Sequence, residues 1–175
     1  MATTTCLGLG NSSDLYEKLK FESDRLQSDW HHYDFWNFAV TAWHLHADWL
    51  DKVSDQRPVY STKKKNRIPK NMCLVLNAIR DVANGSKHFY LDSKNEAKRV
   101  VEETHPPEMR DFQEWLYNEP IRGITIESCY INLRELDLII MSYFEWVFDD
   151  AISIDNFPSD INELLNYVFS FPQNP

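Results

Sequence analysis

Residues Asp34–Val53 read DFWNFAVTAWHLHADWLDKV, and this stretch decides the fold class. Placed at 100° per residue, Phe35, Phe38, Ala39, Ala42, Trp43, Leu45, Trp49, Leu50 and Val53 cover well over half of a helical circumference. Only a stripe of Asn37, Thr41, His44 and Asp48 is polar. A helix so widely apolar is a central helix, contacted by neighbours on several sides.

Working outward, the flanking segments supply those neighbours. A first helix is predicted from about Asp14 to Asp29, with Asp14 and Glu17 in a capping arrangement. Its stripe of Leu15, Leu19, Glu22 and Leu26 is narrow, which places it on the outside. After a polar loop from Ser54 to Arg67, Pro69 opens a third helix that runs to about Phe89. That helix buries Met72, Val75, Leu76, Ile79, Val82, Ala83 and Tyr90, with Gly85 near its end. A fourth, about Leu133 to Ala151, aligns Leu133, Leu136, Ile140, Tyr143, Phe144, Val147 and Phe148. A short last helix, Ser159 to Phe169, packs back on the others. Between them, the β-branched runs at 99–104 and 121–127 read as strands able to pair. Pro106-Pro107 reads as a turn, followed by a short helix from Met109 to Tyr117. The expectation is a mainly all-α fold: an antiparallel bundle of about four long helices with a short β excursion and a C-terminal short helix. It forms a single domain over residues 1–175, with its core bundle at about 12–152.

Composition narrows the classes. At 175 residues and 43% hydrophobic the chain can build a real core. Only four Gly are present, which disfavours phosphate-cradling Gly loops. No basic-then-apolar leader and no apolar run of about 20 residues is seen, so a cytoplasmic protein is expected, with no membrane contact. Cys6, Cys73 and Cys129 are widely spaced and form no CxxC pair, which suits reduced thiols better than a zinc site. The net charge of −9 opposes nucleic-acid binding unless cations are gathered locally. One such gathering, Lys63, Lys64, Lys65, Arg67 and Lys70, reads as a solvated loop or a phosphate contact.

The chemistry-bearing residues lie on the polar arc of the third helix. Arg80, Asn84 and His88 are spaced i, i+4, i+8, with Lys87 beside them and Asn77 and Asp81 on the same arc. A neutral His there accepts a proton from a ribose 2′-hydroxyl, and Arg80 and Lys87 stabilise the phosphate charge that develops. His44 and Asp48, one turn apart on the second helix, support this site if the two polar arcs share a groove. A metal is not expected, since only two ligands appear at helical spacing. No cofactor is expected either. His46 falls on the apolar side and reads as a hydrogen-bonded core residue.

The helical bundle and the Arg80–His88 segment resemble the HEPN superfamily. The resemblance implies a compact helical domain from toxin–antitoxin, phage-defence or RNA-processing systems. Active members are metal-independent endoribonucleases that use an Arg, four to six residues, then a His, commonly across a homodimer. In this chain seven residues separate Arg80 from His88. Arg99 and His105 have five between them, but that segment runs into Pro106-Pro107 and is read as a chance match. Two functions follow as expectations: RNA cleavage with His88 as base, or a non-catalytic bundle that dimerises or docks a partner protein. The partner is then a second copy, another protein or RNA, and not DNA.

Overall fold

The computed structural model describes residues 8–50, 68–85, 98–108, 121–149 and 157–170. Among these the chain is mostly helical, with a small three-stranded antiparallel sheet. The helices are α1 (Ser12–Ser28), α2 (His32–His44), α3 (Lys70–Gly85), α4 (Leu133–Phe148) and α5 (Ser159–Val168). The strands are β1 (Val101–Glu108), β2 (Ile121–Ile126) and β3 (Cys129–Asn132).

The start of α1 is set by a reciprocal cap one turn earlier than the expected one. Asn11 Oδ1 accepts from the Asp14 amide (2.9 Å) and Asp14 Oδ2 accepts from the Asn11 amide (3.2 Å). The residue types pointed to a cap, but Asn11 comes before Asp14 in the chain and takes the role first. Leu15, Tyr16, Leu19 and Leu26 are buried, so α1 contributes to the core instead of lying outside it. It runs antiparallel to α2: Arg25 Nη2 reaches Asp34 Oδ1 (2.8 Å), and Lys18 Nζ reaches Thr41 Oγ1 (2.5 Å). Thr41, a member of the polar stripe, is buried in that seam.

At Leu45 the second helix changes period. Residues Leu45–Trp49 form a π-helical turn in which the Leu50 amide bonds back five residues to the Leu45 carbonyl. Such a turn inserts a residue into the helix and is enriched at functional sites. A wheel drawn at constant pitch does not register it. The predicted end at Val53 lies outside the described residues, as does the loop to Arg67.

For α3, the Pro69 carbonyl accepts from the Cys73 amide (3.0 Å), so Pro69 stands just before the helix and not in its first turn. Met72, Val75, Leu76, Ala78, Ile79 and Ala83 are buried. The predicted continuation to Phe89, the contact of Tyr90 and the short helix at 109–117 lie outside the described residues.

The two β-branched runs do pair, with Val101 opposite Ile126 and His105 opposite Gly123. Pro106-Pro107 belongs to β1 and does not form a turn. Two facts make this tolerable: β1 is an edge strand, and the register slips between His105 and Glu108, where the missing N–H groups fall. The third strand was not expected. Glu127 and Ser128 (φ 46° and 63°) make the β2–β3 turn in the left-handed region without glycine, so its usual sequence signature is lacking. Glu102 Oε2 closes it by accepting from the Ser128 amide (3.1 Å).

Directly after β3, Asn132 caps α4 in a second reciprocal box with Glu135. Every helix and strand adds side chains to one hydrophobic cluster, with Phe35, Phe38, Tyr143 and Phe144 fully buried at its centre. Alternation along the strands sends Ile124, Ile126 and Ile131 into this cluster. Glu103, His105, Thr125 and Tyr130 occupy the sheet's other face.

Candidate functional site

The polar arc of α3 is organised around Arg80. Its Nη1 donates to Asn77 Oδ1 (2.8 Å), Nε and Nη2 both donate to Asp81 Oδ1 (3.1 and 2.8 Å), and Nη2 also reaches the Lys98 carbonyl (2.5 Å). Asp81 in turn uses its second oxygen on the chain leading into β1, accepting from the amides of Val100 (2.6 Å) and Val101 (3.2 Å). The Asp81 side chain is 7% exposed and that of Arg80 20%. Three predicted site residues, Asn77, Arg80 and Asp81, are thus brought together, and what they grip is backbone. The group straps the first strand onto the third helix.

Asn84 is half-buried one turn further on and does not join that network. Lys87 and His88 lie outside the described residues. His44 and Asp48 do meet, Nδ1 to Oδ2 at 3.1 Å, across the junction of α2 and the π-helical turn. No hydrogen bond or ion pair links them to Asn77, Arg80, Asp81 or Asn84 among the described residues. As expected, His46 is a hydrogen-bonded residue of the apolar side: Nδ1 lies 3.1 Å from the hydroxyl of buried Tyr143. Of the basic cluster, Lys70 pairs with Glu127 (3.3 Å), and the other four lie outside the described residues.

The structure adds two titratable groups that the sequence does not mark as site residues. Asp137 on α4 is completely buried. Its Oδ2 accepts from Gln27 Nε2 of α1 (2.6 Å), and Oδ1 has no hydrogen-bond partner. Burial pushes its carboxyl from 3.8 to about 6; Ser23, Gln27 and the positive Arg134 pull the other way, and Asp24 adds to the rise. The signal was present: Asp137 stands four residues after Leu133 and three before Ile140, on the apolar stripe itself.

His105 is the second. It is buried, its Nε2 lies 2.7 Å from Thr125 Oγ1, and Nδ1 lies 3.8 Å from Glu103 Oε1. The edge of Tyr130 covers it at 5.3 Å between ring centroids. Gly123 makes that cover possible, because a Cβ there would stand 2.1 Å from the Tyr130 ring. A hydroxyl, an imidazole and a carboxylate in line are the parts of a nucleophilic site. Here the hydroxyl belongs to a β-branched residue in the central strand, and the histidine is closed over by a ring.

A third grouping stands at the α1–α2 junction. His31, His32 and Tyr33 lie with centroids 4.1–4.9 Å apart, and Tyr33 and Trp36 are 62% and 48% exposed. His32 is held below the ordinary histidine range, by desolvation first and then by the charges of Arg122 and His31.

Burial raises the thiols of Cys73 and Cys129, which keeps them protonated and poor nucleophiles. Among the described residues no three His, Cys, Asp or Glu side chains converge as a metal site, and no helix is long and apolar enough to cross a membrane. Comparison with family models, curated proteins and solved structures gives no significant match.

Proposed function

We propose that this chain is a HEPN-like helical domain, an antiparallel bundle of four long helices, that acts by binding a partner and does not cleave RNA. The observation that carries this reading is the commitment of Arg80. Its guanidinium is spent on Asn77, Asp81 and the Lys98 carbonyl. A phosphate-stabilising arginine must present its donors to the ligand. Turning Arg80 outward would leave the nearly buried Asp81 without its counter-ion, a cost of several kcal/mol for a buried pair. Binding instead has exposed apolar side chains at hand: Tyr33 and Trp36 on α2, and Phe21 on α1, stand in solvent.

The test is incubation of pure protein with structured and unstructured RNA in a chelator. Intact RNA is the expected result for wild type and for His88→Ala alike. Metal-free cleavage that disappears in a folded His88→Ala or Arg80→Ala protein would overturn the reading in favour of the endoribonuclease.

A further inference from the structure

The open side of α2 carries the repeat of a helix that pairs with another helix. α1 meets α2 along Asp34 and Thr41, and Phe35, Phe38, Ala39 and Ala42 turn into the core. On the remaining arc Tyr33, Trp36, Val40 and Trp43 follow one another at alternating steps of three and four residues, and none of them is buried. Tyr33 and Val40 are thus seven residues apart, as are Trp36 and Trp43. That repeat is the narrow seam by which two helices interdigitate.

The other exposed apolar side chains lack this continuity. Phe21 is 61% exposed, but the residues one turn away on α1 are Glu17, Lys18, Asp24 and Arg25. At the same spacing Leu138 has Met141 as its one apolar neighbour, and Tyr167 has Leu164 among the described residues.

The stripe is uneven along its length. Its first half projects, with Tyr33 and Trp36 62% and 48% exposed. Its second half is recessed: Val40 is partly buried, and Trp43 lies against the core cluster with the His46 ring 5.8 Å from its own. The two ends also differ in charge. Exposed Arg122 of β2 stands at the Tyr33 end, close enough for its charge to act on His32. Asp48, bonded to His44, closes the other end.

We propose that this stripe docks on the same stripe of a second copy of this chain, the two α2 helices running antiparallel about a two-fold axis at the level of Phe38. In that register Trp36 of each copy lies over Val40 of the other, and Tyr33 over Trp43. Projecting rings then meet recessed positions in every layer. A parallel pair sets ring against ring and Arg122 against Arg122, whereas the antiparallel pair brings the Asp48 end of one copy to the Arg122 end of the other. One surface supplies both the projection and the recess, so a second copy completes it. Asn37 and His44, each following a tryptophan of the seam, form its polar rim. This inference rests on the binding reading above and names its partner.

The experiment is sedimentation equilibrium of the full chain over roughly 1–100 µM, the span of a moderate affinity. A monomer–dimer equilibrium is expected. Tyr33→Ala and Trp36→Ala should each weaken it about tenfold or more, the effect of losing an aromatic anchor. Phe21→Ala, which removes an equally exposed ring off the seam, should leave it unchanged. All three residues are exposed, so the variants are expected to keep the melting temperature of the wild-type monomer. Orientation is read by oxidative cross-linking above the wild-type background. Asn37→Cys, beside the axis, should form an intermolecular disulfide. His31→Cys should not, because its two copies stand about 20 Å apart along the helix axes.

A chain that stays monomeric over this range, or a dimer that Tyr33→Ala and Trp36→Ala leave intact, overturns the inference. Cross-linking through His31→Cys in place of Asn37→Cys overturns the antiparallel arrangement. Neither result touches the binding reading itself, which falls only if the RNA assay above shows cleavage that needs Arg80 or His88.

Discussion

Asp81 and Asp137 are both aspartates on helix faces that pack against another element, and they are solved differently. Asp81 at the α3–β1 seam uses both carboxylate oxygens: one on Arg80, one on two backbone amides. Asp137 at the α1–α4 seam has one bonded oxygen and one buried without a hydrogen-bond partner, and it is held near a pKa of about 6. The difference lies in what each faces. The first meets the start of a strand, whose N–H groups need acceptors. The second meets a helix whose backbone is already satisfied, so only side chains can answer it. Burial with full pairing makes a joint; burial with partial pairing makes a group that responds to pH.

The sharpest way to break this comparison is Asp81→Ala. It strands Arg80 and two amides at once and should cost roughly 3–4 kcal/mol, as for a broken buried pair, read from urea midpoints at constant m. A loss below about 1 kcal/mol would mean that the strap is incidental.

Asp137→Asn probes the other side. Because the folded-state value is raised, the folded protein holds the proton more tightly than the unfolded chain. Stability from this group is therefore greatest below about pH 4, falls as pH climbs toward 6, and carries the full penalty above that. Asn removes the ionisation, so the variant should lose that slope and be more stable than wild type at pH 7 by up to roughly 3 kcal/mol. Denaturation at pH 4, 5, 6 and 7 measures both; a variant with an unchanged slope would mean that Asp137 is not the titrating group. A smaller change, Gln27→Ala, deletes the donor to Oδ2 and should cost about 1 kcal/mol at pH 7 while moving the carboxyl's midpoint further up. NMR titration of the Asp137 carboxyl carbon checks the direction.

These two residues also mark what the sequence could disclose. Helix positions, the pairing of the two β-branched runs, and the core lining of α3 and α4 follow from periodicity, because burial of one face is a local, repeating property. The polar role of His46 follows for the same reason. Arg80 and Asp81 were visible as a cluster, but whether their donors face a ligand or the amides of Val100 and Val101 depends on a contact about 20 residues away, which spacing does not encode. The π-helical turn at Leu45 and the glycine-free turn at Glu127–Ser128 break local rules and were illegible on that account. Asp137 was legible in position, on the stripe between Leu133 and Ile140, but its partner Gln27 lies 110 residues away, which helical spacing does not encode.

The central claim is that Arg80 and Asp81 serve the architecture. Amide hydrogen exchange at Val100 and Val101, compared between wild type and Asp81→Asn, tests it most directly. Both amides should be protected in wild type and should lose that protection in the variant more than the rest of β1–β2 does. Rapid exchange of both amides in the wild-type protein, or equal protection in the two proteins, would contradict the account and return Arg80 to the pool of groups available for chemistry.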